Sequence, residues 1–201
     1  MTTPTIGAAA VKQLRDLTGA GFMDCKHALE ETGGDIERAV ALLSERNQAS
    51  AAMKAGREAR EGLIYSYVHT GGRIGSLIEV NCETDFVART DQFQRLVRDL
   101  AMQVVALHPL YTTVEAIPAQ ALEARRTEIL ADESVARKPL AIREQIVDGQ
   151  LKKWYQQVVL HEQPFRDTEL TVGQLIVQSI ATIGEAIRVR RFVRFELGEE
   201  S

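Results

Sequence analysis

Residues able to do chemistry are few in this chain, and they lie apart. The four histidines, His27, His69, His108 and His161, fall on helices or near element ends, and none has a second ligand at the spacing a zinc site needs. Each reads as a surface or capping residue. The two cysteines, Cys25 and Cys82, belong to no Cys-x-x-Cys pair, so neither a metal site nor a disulfide framework is indicated. Cys82 has Glu83 beside it and no basic partner, so a lowered pKa is not indicated and a buried strand thiol is expected. Gly19 and Gly21 are followed by Phe22 and Met23, a pattern that ends a helix and does not open a phosphate cradle. No Gly-x-x-x-x-Gly-Lys-Ser/Thr loop, Gly-x-Ser-x-Gly elbow or His-Glu-x-x-His pair occurs. The expectation is a protein that is not an enzyme and that carries no cofactor.

What remains is Asn81-Cys82-Glu83-Thr84-Asp85-Phe86-Val87-Ala88-Arg89, which places an acid beside a phenyl ring where a strand runs out. Loops lie at the surface and tend to carry function. Two readings stand side by side. In one, Thr84 caps a helical turn, Asp85 sits at its positive end, and Phe86 and Val87 fold back on the core. In the other, Phe86 belongs neither to the alternation that ends at Cys82 nor to the helical stripe that begins at Phe93, and serves as an exposed anchor for a pocket on another protein.

The elements that must hold this stretch follow from periodicity. Thr5 is placed to cap a first helix with Val11, Leu14 and Leu17 at helical spacing, ended by Thr18-Gly19-Ala20-Gly21. Phe22, Cys25 or Lys26, and Leu29 continue in a second helix that stops at Thr32-Gly33-Gly34. Asp35 caps a third with Ile36, Ala39, Val40 and Leu43 on one stripe. Residues 1–47 thus form a small three-helix bundle, and residues 48–61, rich in Ala, Lys, Arg and Glu, read as a solvated, partly helical linker. Leu63 to His69 and Ile74 to Cys82 flank Thr70-Gly71-Gly72-Arg73, the signature of a hairpin. A helix from about Thr90 to His108 carries Phe93, Leu96, Val97, Leu100, Ala101, Val104 and Leu107, and Pro109 ends it. An extended piece near Leu110 and Tyr111 precedes a helix from Pro118 through Leu130. A long helix from Ile142 to Val159, with a bend expected near Gly149, and another from Thr171 to Gly184 follow. Ile187 to Leu197 alternates as a strand, with Ile187, Val189, Val193, Phe195 and Leu197 on its covered face and most of its arginines outside. The fold class is α+β, with residues 62–201 as the core domain.

Composition sets the surroundings. The chain of 201 residues is 45% hydrophobic and 26% charged, with 24 basic and 28 acidic side chains and a formal net charge of −4. That is the make-up of an ordinary globular protein, without the field expected of one built to hold nucleic acid. Nothing in Met1 to Ala10 resembles a secretory or transit segment, and charges interrupt every apolar run before it reaches bilayer length. A cytoplasmic protein without membrane or direct nucleic-acid contact is expected.

Four ordered blocks carry a specific likeness. Val11-Lys12-Gln13-Leu14-Arg15 with Thr18 to Lys26, Glu79 to Arg89, Glu162-Gln163-Pro164-Phe165, and Arg190 to Phe195 resemble the elongation factor Ts family, nucleotide-exchange factors for the translational GTPase elongation factor Tu. The resemblance implies a ubiquitin-associated-like three-helix domain followed by an α+β core of dimerisation type. It implies that Thr84, Asp85, Phe86 and Val87 approach the nucleotide pocket of the GTPase. There the ring at Phe86 wedges between helices and disturbs the magnesium site, with Asp85 as its polar companion. It implies a second contact through Arg15, Phe22 and Met23, where Phe22 stands in place of the Met that many members carry. The length corresponds to the short form with one copy of the core, and the family leads us to expect a homodimer that binds elongation factor Tu in its GDP and nucleotide-free forms. Two other readings compete: an adaptor that binds ubiquitin-like or peptide partners through the three helices, and an RNA-binding factor using Lys54, Arg57, Arg60 and the terminal arginines.

Overall fold

The computed structural model describes residues 6–166 and 168–199. Thr5, expected to cap the first helix, lies outside the described residues. The chain forms two compact units, one running through Leu63 and taking in Val80–Leu96 and Gln174–Arg188, the other made of Ile64–Glu79, Val97–Gly173 and the segment from Val189 onward.

In the first unit, α1 (Ala8–Thr18), α2 (Phe22–Glu31) and α3 (Ile36–Ala55) enclose a core of Val11, Leu14, Cys25, Ala28, Leu29, Ala39 and Leu43. Gly19 ends α1 at φ 66°, a left-handed conformation that glycine adopts without steric cost, and its N–H bonds to the Arg15 carbonyl. The Asp35 carboxylate caps α3 by accepting the Arg38 N–H at 3.0 Å. Two residues of the expected stripes lie outside the core, since Leu17 and Phe22 are exposed. The stripe steps by four from Leu14 to Thr18, which is buried and closes the turn by donating its hydroxyl to the Leu14 carbonyl at 2.7 Å. The third helix also continues into the expected linker as far as Ala55, because Ala, Lys, Arg and Glu favour helix even where no apolar face demands it.

Strands β1 (Glu61–Val68), β2 (Ile74–Cys82) and β3 (Arg188–Glu196) form one sheet in the order β1-β2-β3. The hairpin turns as expected on Gly71 and Gly72, at φ 94° and 67°. Antiparallel register between β2 and β3 is marked at one end by the Leu197 N–H on the Arg73 carbonyl, and at the other by the Arg191 guanidinium on Glu79 at 2.7 Å. Ser76, Ile78 and Val80 are buried on one face of β2. On the other face of the sheet, Ile64, Val68, Leu77, Val193 and Phe195 are exposed, with Leu197 just beyond them.

That exposure corrects the expected orientation of β3. Ile187 and Val189 are buried, but beyond them Phe192 and Arg194 take the more covered positions while Val193 and Phe195 face out. Arg194 can lie inside because its guanidinium pairs with Glu196 and Glu199, leaving only 10% of the side chain exposed.

Helix α4 (Asp85–Ala88) and helix α5 (Asp91–Leu107) follow β2. The stripe of α5 is buried from Phe93 to Val105, whereas Leu107, its last residue, is exposed. In the second unit, Tyr111 makes a parallel bridge with Val159. Helices α6 (Ala119–Ala131) and α8 (Leu140–Val158) pack through Ile129, Val147 and Leu151, and the short α7 (Glu133–Ala136) lies between them in sequence. Helix α8 is continuous through Gly149, so the bend expected there does not break it. Helix α9 (Val172–Ile183) buries Val172, Ile176 and Ile180 at four-residue steps and ends at Gly184, φ 90°. Among the described residues no helix is long and apolar enough to cross a membrane.

Candidate functional site

The stretch after β2 forms a single helical turn, and its sequence explains the geometry. Thr84 has extended backbone angles, φ −128° and ψ 153°, and its hydroxyl oxygen accepts the Val87 N–H at 3.3 Å, as an N-cap should. Asp85 stands in the first turn, where the helix terminus favours a negative charge, and its carboxylate pairs with Arg89 at 2.8 Å. Thr90 closes the other end, donating its hydroxyl to the Val87 carbonyl at 2.8 Å and accepting the Phe93 N–H at 3.3 Å. The backbone is thus tied at both ends. Ala88 is buried, Val87 is half-buried, and Phe86 exposes 78% of its surface. The local reading of a capped turn is correct, but the ring does not fold back on the core.

A further contact comes from a later segment of the first unit. Gly184 breaks α9 and delivers Glu185, whose Oε2 accepts the N–H groups of Glu83 and Thr84, both at 3.0 Å, while its Oε1 accepts the Thr84 hydroxyl at 2.7 Å. Glu83 returns the arrangement: its Oε1 accepts the Ala186 N–H at 2.7 Å and lies 3.5 Å from the Arg57 guanidinium. Sequence reasoning missed Glu185. The available signal was an acid placed directly after a helix-ending glycine and before a strand.

Beneath the turn, the Cys82 thiol is fully buried and donates to the Thr84 carbonyl at 3.2 Å. Burial, reinforced by the Glu185 charge, pushes its pKa up to about 11. It is an inert structural thiol, as its position in the strand predicts.

Arg15, Phe22 and Met23 are all exposed where α1 gives way to α2. They stand on the first two helices of the three-helix bundle. Of the histidines, His27, His69 and His108 are exposed, but His161 is half-buried with its Nε2 covered and unbonded, which corrects its expected place at the surface. Burial holds its imidazole below the ordinary value, opposed by the charge of Glu115. The backbone imposes that position, because the His161 N–H bonds to the Thr112 carbonyl at 3.2 Å.

The family model described as Elongation factor TS matches residues 6–199. Elongation factor Ts of Heliobacterium modesticaldum (strain ATCC 51547 / Ice1) is 52% identical over 196 residues, covering 96% of this chain and 91% of that protein. The protein of the same description from Thermoanaerobacter sp. (strain X514) is 50% identical over 195 residues, covering 96% of both chains. In Synechococcus sp. (strain JA-2-3B'a(2-13)) the identity is 51% over 197 residues, 97% of this chain and 76% of that longer protein. With a match from end to end of the described residues and half of the aligned positions identical, this chain belongs to the elongation factor Ts family of translation elongation factors.

Proposed function

We propose that the chain binds elongation factor Tu in its GDP form and speeds GDP release, with Phe86 entering the GTPase domain and displacing the ligands of its magnesium ion. The observation that carries this reading is the disposition of one ring: Phe86 is 78% exposed on a turn whose backbone is bonded from both ends. An aromatic group held in water by a fixed backbone loses little freedom on docking and gains the burial of its whole face. Thr84 and Val87 form the cap that aims it, and Asp85, paired with Arg89, brings a carboxylate alongside.

Exchange of this kind makes and breaks no covalent bond, so no catalytic group is needed. Magnesium links the nucleotide phosphates to the GTPase, and a wedge that moves its ligands loosens the nucleotide. By linkage, the nucleotide must loosen the factor by the same free energy. A coupling of about 3–4 kcal/mol corresponds to roughly a hundredfold to a thousandfold change. The emptied site then reloads with GTP, and the factor leaves.

The exposed Arg15, Phe22 and Met23 supply a second contact with the same partner. In this reading residues 1–47 act as a partner-binding head, 48–61 as its connection, and 62–201 as the core, working in the cytoplasm without nucleic acid or membrane. The apolar face of Ile64, Val68, Leu77, Val193 and Phe195 supports a homodimer, since a contiguous apolar sheet face open to water is costly and suits an isologous interface.

The test is release of fluorescently labelled GDP from elongation factor Tu. Wild-type protein accelerates it, and Phe86→Ala loses at least about tenfold of the acceleration, a change of ~1.4 kcal/mol, while remaining folded. Equal rates for the two proteins would show that the ring is not the acting group.

A further inference from the structure

We infer that Glu185, with Glu83 as its reciprocal partner, is a positioning residue that holds the Phe86 turn in the geometry needed for exchange. The inference rests on the reading of Phe86 as the group presented to the GTPase. It starts from an energetic need. Helix α4 has four residues, and a single helical turn does not hold itself together in water, because nucleation is unfavourable until several hydrogen bonds have formed. Something outside the turn must fix it.

The Thr84 cap cannot do so alone, because Glu83 and Thr84 lie beyond the end of β2 and their N–H groups have left the sheet ladder. Both N–H groups are taken by one carboxylate oxygen of Glu185, and the other oxygen takes the Thr84 hydroxyl proton. That last bond orients the hydroxyl, so that its oxygen is free to accept the Val87 N–H. An unbroken chain of hydrogen bonds therefore runs from Glu185 through Thr84 to the amide next to Phe86. Bonds to an ionised acceptor are the stronger kind, and linked bonds reinforce one another.

Glu185 is itself anchored. Gly184, whose N–H closes on the Ile180 carbonyl at 2.9 Å, ends α9 just before it, and the buried Ala186 and Ile187 follow it. Glu83 ties the same two segments in the opposite sense through the Ala186 N–H. Each segment thus supplies a carboxylate to the other's backbone, and neither can shift without breaking both sets of bonds.

The experiment compares wild type, Glu185→Ala, Phe86→Ala and the double variant in labelled-GDP release across a range of factor concentrations, with amide hydrogen exchange on the free proteins. In Glu185→Ala the amides of Glu83, Thr84 and Val87 are expected to lose protection while those of α5 keep theirs. The maximal rate of GDP release should fall about tenfold or more, as misplacement of an acting group by ~1 Å produces, with a smaller change in the factor concentration giving half the effect. Adding Glu185→Ala to Phe86→Ala should cause little further loss, because both changes act through one ring. Where Glu185→Ala does not fold, Glu185→Gln, which keeps one carbonyl acceptor, carries the same comparison. A Glu185 variant that releases GDP at the wild-type rate while Phe86→Ala is slow overturns the positioning role alone. Wild-type rates for Phe86→Ala overturn the wedge and the inference with it, and additive losses in the double variant show that Glu185 acts elsewhere.

Discussion

Gly62 approaches Val80 so closely that a β-carbon on Gly62 would stand 2.2 Å from the Val80 carbonyl oxygen and 2.7 Å from the Asn81 α-carbon. At φ 144° the backbone is also in a region that other residues avoid. Gly62→Ala must push β1 from β2 just where the strand hands over to the turn at Thr84. A loss of about 2–4 kcal/mol is expected from combined strain and clash, read as a lower urea midpoint. Gly71→Ala in the hairpin loop, also at positive φ but with open space around it, should cost only about 1–2 kcal/mol.

Thr84→Val keeps the shape of the side chain and removes its hydroxyl. Both the cap on Val87 and the bond to Glu185 go with it. The expected cost is about 1–2 kcal/mol in thermal or urea denaturation, and a smaller cost would mean that the turn is held by its backbone bonds alone.

Gln163 is fully buried, and its amide nitrogen donates to the carbonyls of Leu107 and Gln157, both at 3.1 Å, at the closing corner of the second unit. Gln163→Leu removes the donor from both carbonyls and also the acceptor that the buried Gln103 amide uses at 3.4 Å. A loss of about 2–4 kcal/mol should follow. Equal stability of the variant would show that water reaches that corner.

The raised pKa of Cys82 has a definite sign. Its folded value of about 11 lies above the ordinary thiol value of 9.0, so in the window between them the unfolded chain gives up a proton that the folded chain keeps. The thiol's contribution is complete below pH 9 and is lost as the pH rises toward 11. Stability should therefore fall more steeply across that range in wild type than in Cys82→Ala, and the native protein should resist alkylation at pH 8.

The apolar face of the sheet predicts a mass in solution of two chains. Phe195 is 69% exposed on that face, so Phe195→Asp should not disturb the core of a single chain but should place two like charges across a two-fold interface. Light scattering should then report one chain. A single-chain mass for the wild type would remove the homodimer from the proposal.

The layout of helices and strands was largely legible because its signals are local. Gly19, the Gly33-Gly34 pair and Gly184 each end a helix by a conformation that needs no distant partner, and the hairpin turns on Gly71 and Gly72 between its own two strands. Phe86 could be singled out because it broke two periodic patterns at once. The orientation of β3 was hidden because Phe192 and Val193 are adjacent apolar residues of opposite parity, and the ion pairs that draw Arg194 inward decide between them. The support of the turn was hidden for a different reason: Glu185 and Glu83 are 102 positions apart, and no spacing rule joins residues that meet only when the fold is complete.

The four-residue length of α4 has a consequence for anyone wishing to imitate it. A synthetic peptide spanning Asn81 to Arg89 would contain the ring, the acid and the cap, yet not Glu185, which arrives from a remote segment. In solution it would sample many shapes, and the ordering needed on contact would erode most of its affinity. A working mimic needs a stapled or cyclised backbone with a built-in acceptor facing the amides of Glu83 and Thr84.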